Sequence, residues 1–213
     1  MRRLLAMLPA ALLLFACGST DTGSGGASTS SPPPATTAPA ATSCQNLNRN
    51  SLDQLSSPPV MTIDVNRSYT ARMTTSKGAF TIALNPKVAP VTVNNFVCLG
   101  QAHYYDGLTF HRIVPGFVAQ GGDPLGTGYG GPKYKLPNET NPTPWGAGSV
   151  AMASSQAGVS GSQFFIVLAD GPDAQSLATS GVYNQFGKVT DGFDVVLKLQ
   201  QGDTISSLVI SEQ

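Results

Sequence analysis

The chain of 213 residues carries little charge: 12 Lys and Arg balance 12 Asp and Glu, only 11% of positions are charged, and the net charge is zero. There is no Lys/Arg-rich run or patch, so nothing advertises a nucleic-acid partner, and none is expected. Three cysteines and two histidines are too few for a dense disulfide framework or a zinc site, and no metal or cofactor is expected. The local signatures of nucleophilic and metal-dependent enzymes are missing as well. No HExxH, CxxC or GxSxG occurs, and neither His103 nor His111 stands beside a nucleophile motif. The glycine-rich Gly126-Thr127-Gly128-Tyr129-Gly130-Gly131 lacks the Lys-Ser/Thr ending and helix start of a phosphate loop, and reads as a surface turn. The apolar run Leu4 to Ala16 has thirteen residues, short of the ~18 to 20 that span a bilayer.

That short run has another reading. Arg2 and Arg3 precede it, and Leu14-Phe15-Ala16-Cys17 follows the pattern of a bacterial lipobox. Residues 1–16 are therefore expected to be a lipoprotein signal peptide, with Cys17 lipidated as the new N-terminus. Two acyl chains anchor a protein stably where one does so only marginally. The expected location is the cell membrane, lipid-anchored and facing the extracytoplasmic side. Gly18 to Ser43 consists almost wholly of Gly, Ser, Thr, Ala and Pro, with one charge at Asp21. It has no large apolar residue to bury against the entropy of ordering, so residues 17–60 are expected to be a disordered tether and 61–213 the folded domain.

Within that domain the pattern is mostly of short strands. Tyr69 to Thr74 and Ala79 to Leu84 flank Ser76-Lys77-Gly78, and Phe80, Ile82 and Leu84 repeat at period two, which predicts a β-hairpin. Thr109 to Val114 and Phe117 to Gln120 flank the Pro115-Gly116 turn. Ser149 to Ala153, Gln163 to Leu168 and Thr204 to Ile210 supply further strands. Pro90 to Leu99 reads as a helix with Val93, Phe96 and Val97 on one face and Gly100 as its stop. Asp191 to Leu199 reads as a second helix, capped by Asp191 and buried through Phe193, Val196 and Leu197. The expected fold is mainly β: a closed antiparallel β-barrel capped by two α-helices.

Three ordered blocks then stand out. Phe110-His111-Arg112 runs on through Phe117 to Gln120-Gly121-Gly122-Asp123. Ser149-Val150-Ala151-Met152-Ala153 leads to Gly161-Ser162-Gln163-Phe164-Phe165-Ile166, and Phe186-Gly187-Lys188-Val189 follows. With Ala89-Pro90-Val91-Thr92-Val93-Asn94-Asn95-Phe96 upstream, residues 68–211 resemble the cyclophilin family of peptidyl-prolyl cis–trans isomerases. That resemblance implies an eight-stranded barrel and catalysis of rotation about X–Pro bonds in proline-containing polypeptides, here exported or envelope proteins. Amide resonance sets the barrier at ~18–20 kcal/mol, and rotation breaks no bond, so the missing nucleophile and metal fit. A catalyst must bind the twisted amide better than either planar isomer. The resemblance assigns Arg112 as the donor to the pyramidal prolyl nitrogen; a guanidinium keeps its charge at any relevant pH. It makes Phe117 and Gln120 its catalytic partners, with Gln120 holding Arg112. Val118, Phe165 and Leu177 join Phe117 around the proline ring. Gln163 stands nearby, Ser154 pairs through its backbone with the residue before proline, and Ala153 and Ser155 line the adjoining groove. Tyr183 stands where many relatives have a histidine. His111 is expected in a supporting role, and Trp145 in packing.

The far wall departs from the family. Ser176 stands where the best-known eukaryotic members carry tryptophan beside the leucine, so weakened binding of cyclosporin-type macrocycles is expected. Cys44 and Cys98 leave two readings open: a bridge stapling the segment before the domain to the first helix, or a small buried Cys98 with Cys44 in a mobile segment. A monomer is expected. The alternative function is a proline-peptide-binding chaperone module that needs little turnover.

Overall fold

The computed structural model describes Cys44 and residues 47–213; the expected signal peptide, Cys17 and the tether up to residue 43 lie outside the described residues. Strands β1 (Tyr69–Thr75) and β2 (Gly78–Leu84) form the expected hairpin, with Met73 opposite Phe80 and Ala71 opposite Ile82. Phe80, Ile82 and Leu84 are buried together with Tyr69, Ala71 and Met73, as period-two alternation requires. Helix α2 (Pro90–Gln101) follows and buries every residue from Thr92 to Gly100, on all sides of the helix. Then come β3 (Arg112–Val114), β4 (Val118–Gly121), β5 (Lys135–Leu136), β6 (Ser149–Ser155) and β7 (Gly158–Val167). Helix α3 (Pro172–Ser180), β8 (Gln185–Asp191), α4 (Phe193–Val196) and β9 (Ile205–Glu212) complete the order, and α1 (Arg49–Gln54) precedes them all.

The strands pair antiparallel in the order β3-β4-β7-β6-β8-β2-β1-β9, with β5 added beside β7. The sheet curls around an aromatic core. Phe96 of α2 meets Phe186 at 4.9 Å, Tyr105 at 5.1 Å and Phe164 edge-on at 5.8 Å. Such tilted and edge-on contacts suit the ring quadrupoles and bury large areas at once.

Several expectations need correction. The sheet has nine strands rather than eight among the described residues, and it is open rather than closed. Its path ends at β3 and β9, which share no ladder. Residues 107–110 fill that gap irregularly: Thr109 makes isolated bridges to Asp123 and Thr204, and Phe110 N–H donates to the Asp203 carbonyl at 2.9 Å. Four α-helices are present among the described residues rather than two. Gly100 does not stop α2, which runs on to Gln101. It lies against β9, where an added Cβ would come within 2.9 Å of Ile210 and 3.1 Å of Leu208. Its bare backbone serves close packing. The second expected helix shrinks to α4, because Asp191 ends β8 and Gly192, at φ 73°, takes the cap position; Leu197 is 57% exposed.

The domain also starts earlier than residue 61. Cys44 is joined to Cys98 by a disulfide, Leu52 is fully buried in the main core, and Asn48 caps α1 by accepting the Ser51 N–H at 3.0 Å. Among the described residues no helix is long and apolar enough to cross a membrane.

Candidate active site

Four adjacent strands bring the motif residues into one row. Register places Arg112 of β3 opposite Gln120 of β4, Gln120 opposite Phe165 of β7, and Phe165 opposite Ala151 of β6. Directly opposed residues project to the same face, so blocks separated by tens of residues in sequence meet side by side. The polar end of the row is linked by hydrogen bonds. Arg112 donates through Nη1 to Gln120 Oε1 at 3.3 Å, Gln120 Nε2 donates to Gln163 Oε1 at 3.0 Å, and Gln163 Nε2 donates to the Gly130 carbonyl at 2.8 Å. Arg112 itself is exposed, and Gln120 is its side-chain partner among the described residues.

The apolar end is a second, smaller cluster on the outer face of the sheet. Val118, Ala151, Phe165 and Val167 come from the strands, Ala174 and Leu177 from α3, and Trp145 from the loop before β6, with Phe117, Ala153 and Tyr183 packed at its edge. Helix α3 places Leu177 because Pro172 opens it and Gly181, at φ 64°, turns the chain out of it in the left-handed region that favours glycine. Between the two ends lies a cavity of about 220 Å³ lined by Arg112, Phe117, Val118, Gln120, Ala153, Ser154, Phe165, Leu177 and Tyr183. An adjoining groove of about 290 Å³ shares Gln120, Ala153 and Ser154 and adds Ser155, Gln163, Tyr129, Gly130 and Lys135. Every candidate site residue of the domain thus borders one of two neighbouring cavities.

Trp145 is the residue that sequence reasoning placed in packing alone. Its ring stacks on Phe165 at 6.1 Å and 17°, while Tyr183 meets Phe165 edge-on at 5.4 Å. Gln175 of α3 fixes this layer by donating to the Trp145 carbonyl at 2.9 Å. No motif carries Trp145 or Gln175; the one available signal was a lone large aromatic between Pro144 and Gly146.

The glycine-rich segment is a turn, as expected, and its organiser is Asp123. That carboxylate is 1% exposed and accepts the N–H groups of Leu125 at 2.8 Å, Thr127 at 2.9 Å and Gly128. Burial alone would raise its pKa. The backbone donors, Gly130 included, outweigh burial and hold it below the ordinary 3.8. Those donors are therefore occupied and offer no cradle for a phosphate. His111 lines neither cavity. Both its ring nitrogens are buried without a hydrogen-bond partner, and that burial pushes its pKa below the ordinary 6.5, Asp123 opposing and Arg112 assisting. Among the described residues no cluster of His, Cys, Asp or Glu forms a metal site.

A pocket with an apolar wall on one side and the Arg112 guanidinium at its rim fits a catalyst of conformational change. Residues 70–212 match the family described as cyclophilin type peptidyl-prolyl cis-trans isomerase/CLD. A peptidyl-prolyl cis-trans isomerase of Helicobacter pylori is 40% identical over 162 residues, covering 72% of this chain and 97% of the relative. Peptidyl-prolyl cis-trans isomerase B of Bacillus subtilis is 46% identical, covering 59% and 85%. A crystal structure of a Cryptosporidium parvum cyclophilin superposes with a TM-score of 0.61 at 31% identity, covering 68% of this chain and 99% of that one. A second structure of a Cryptosporidium parvum cyclophilin, in the presence of the dipeptide Ala-Pro, has a TM-score of 0.58 at 30% identity. The chain belongs to the cyclophilin family and is a cyclophilin-type peptidyl-prolyl cis–trans isomerase.

Proposed function

We infer that this domain isomerises X–Pro bonds of exported or envelope proteins by non-covalent stabilisation of the twisted amide, with Arg112 as donor to the prolyl nitrogen. The observation that carries this reading is the row in which Arg112 stands two strands from Phe165 across the 220 Å³ cavity. Val118, Phe165 and Leu177 hold the proline ring from the apolar side, and Phe117 and Tyr183 close its edges. The Cryptosporidium structure determined in the presence of the dipeptide Ala-Pro supports a proline peptide as the ligand of such a fold. Twisting breaks amide resonance and makes the nitrogen basic, so the Arg112 bond strengthens only in the transition state. Gln120 orients the guanidinium, its Oε1 accepting from Arg112 at 3.3 Å.

A charge-assisted hydrogen bond contributes ~1.5–3 kcal/mol, so Arg112→Ala is expected to lower kcat/KM by about ten- to a few-hundredfold. Rates of cis–trans exchange in a proline peptide, read by NMR, check this. An unchanged rate overturns the donor assignment. Lost rate with retained peptide binding at wild-type affinity is the expected signature of a donor needed only in the transition state. The alternative chaperone module predicts that the wild type itself shows binding with little turnover.

The location follows the same reading: Cys17 carries the lipid and the domain works outside the membrane as a monomer. A disulfide between Cys44 and Cys98 suits an oxidising compartment and supports export. Incorporation of labelled palmitate that disappears in Cys17→Ser is the expected result; label retained in that variant rejects the anchor.

A further inference from the structure

The segment N-terminal to the family-matched region is built into the fold from both ends. Its Cys44 is bonded to Cys98 on α2. Arg49 donates to the carbonyls of Tyr104 at 2.8 Å and Asp106 at 2.5 Å, and its guanidinium lies 5.7 Å from the Tyr104 ring centre. Tyr104 in turn donates its hydroxyl to Asp53 at 2.7 Å. These bonds hold α1 flat against the domain, with Leu52 in the core.

The far end of α1 grips the loop that leads to the site. The Asp53 carbonyl accepts the Lys133 N–H at 3.3 Å, and Gln54 Oε1 accepts Lys133 Nζ at 2.5 Å. Lys133 lies three residues after Gly130, whose carbonyl accepts from Gln163, which accepts from Gln120, which accepts from Arg112. A continuous set of hydrogen bonds and one short loop therefore connects α1 to the arginine. Asp123 fixes the beginning of that loop, and Asn95 fixes Tyr134 at its end by accepting the phenol O–H at 2.6 Å. Asp123 also takes the Gly130 N–H, and Lys133 ties the stretch that follows to α1.

We propose that Cys44 and α1 form a positioning element of the active site: α1, clamped by Cys44–Cys98 and Arg49, holds Lys133 and thereby helps to place the Gly130 carbonyl that orients Gln163, Gln120 and Arg112. This rests on the reading of Arg112 as the donor. Oxidation state then enters catalysis, because the clamp needs the disulfide. Coupling through such a network is worth a few-fold in rate: Arg49→Ala and Cys44→Ser/Cys98→Ser are each expected to lower kcat by about three- to tenfold with KM little changed.

A loss of stability alone is separated by assaying in the cold on the full chain, with native folding checked by near-ultraviolet circular dichroism. The deciding measurement is a double-mutant cycle of Arg49→Ala with Gln163→Ala. If α1 acts through Gln163, the Arg49 effect vanishes in the Gln163→Ala background. Additive effects, or an unchanged kcat in folded Arg49→Ala, overturn the proposal. Arg49→Ala keeps the test decisive even where the cysteine pair proves necessary for folding. An unaffected Arg112→Ala would instead strike the donor reading, so the two failures are distinguishable.

Discussion

Strand β7 offers two environments to alternate residues of one short sequence. Phe164 and Ile166 turn inward and join Phe96, Tyr105 and Phe110 in the main core, while Phe165 and Val167 turn outward to Trp145, Leu177 and Val118. Both phenylalanines are buried, at 0% and 4% exposure, so burial does not separate them. Enclosure does. Phe164 has protein on every side, whereas Phe165 forms one wall of a cavity. The pleat's period of two thus divides a strand into a set that holds the fold and a set that faces the candidate site.

The sharpest way to break this comparison is to truncate each ring in turn. Phe164→Ala should lose about 3–5 kcal/mol of stability, because a rigid core cannot collapse into the void. Denaturant unfolding measures it. Phe165→Ala should lose less stability, since its neighbours already face a cavity, but about ten- to a hundredfold in kcat/KM through the lost apolar grip of ~1.5–3 kcal/mol. A Phe165→Ala variant that keeps its rate, or a Phe164→Ala variant as stable as wild type, would erase the distinction between the faces.

A smaller effect tests the polar neighbour of the row. His111 has its folded pKa lowered, so its neutral form is favoured by folding and the unfolded chain binds the extra proton. Stability from this group is complete above its ordinary pKa of 6.5 and is lost as pH falls from there through the depressed folded value. Asp123 is also lowered, and its contribution is lost only as pH falls below the ordinary 3.8. Unfolding curves at mildly acid pH should therefore show a decline that His111→Gln flattens. A decline unchanged in that variant would mean that another group carries it.

Much of this was legible in local sequence. The hairpin followed from Phe80, Ile82 and Leu84, and the first helix from Pro90 and the stripe Val93, Phe96, Val97. The candidate site residues from Arg112 to Phe165 came from their motif blocks, and the register of four strands gathers them; Leu177 comes from α3 and Tyr183 from the loop after it. What failed did so for want of local signal. Gly100 reads as a helix stop, yet β9 approaches it from more than a hundred residues away. Asp191 reads as a cap, yet its backbone is already taken by pairing with Thr81 of β2. The barrel's closure failed because strand count carries no information about whether the edge strands are long enough to pair.

The sequence by itself determined the family of this protein and which residues of its strands gather at the candidate site. An arginine, two glutamines and a phenylalanine at fixed spacings, in strands whose side chains alternate, left little freedom about which face they share. Tertiary structure alone decided what supports them: Cys44 with Cys98, Trp145 beneath Phe165, and α1 against Lys133. Those contacts join segments tens of residues apart. No periodicity or capping preference encodes them, because they arise only when the whole curled sheet brings its loops together.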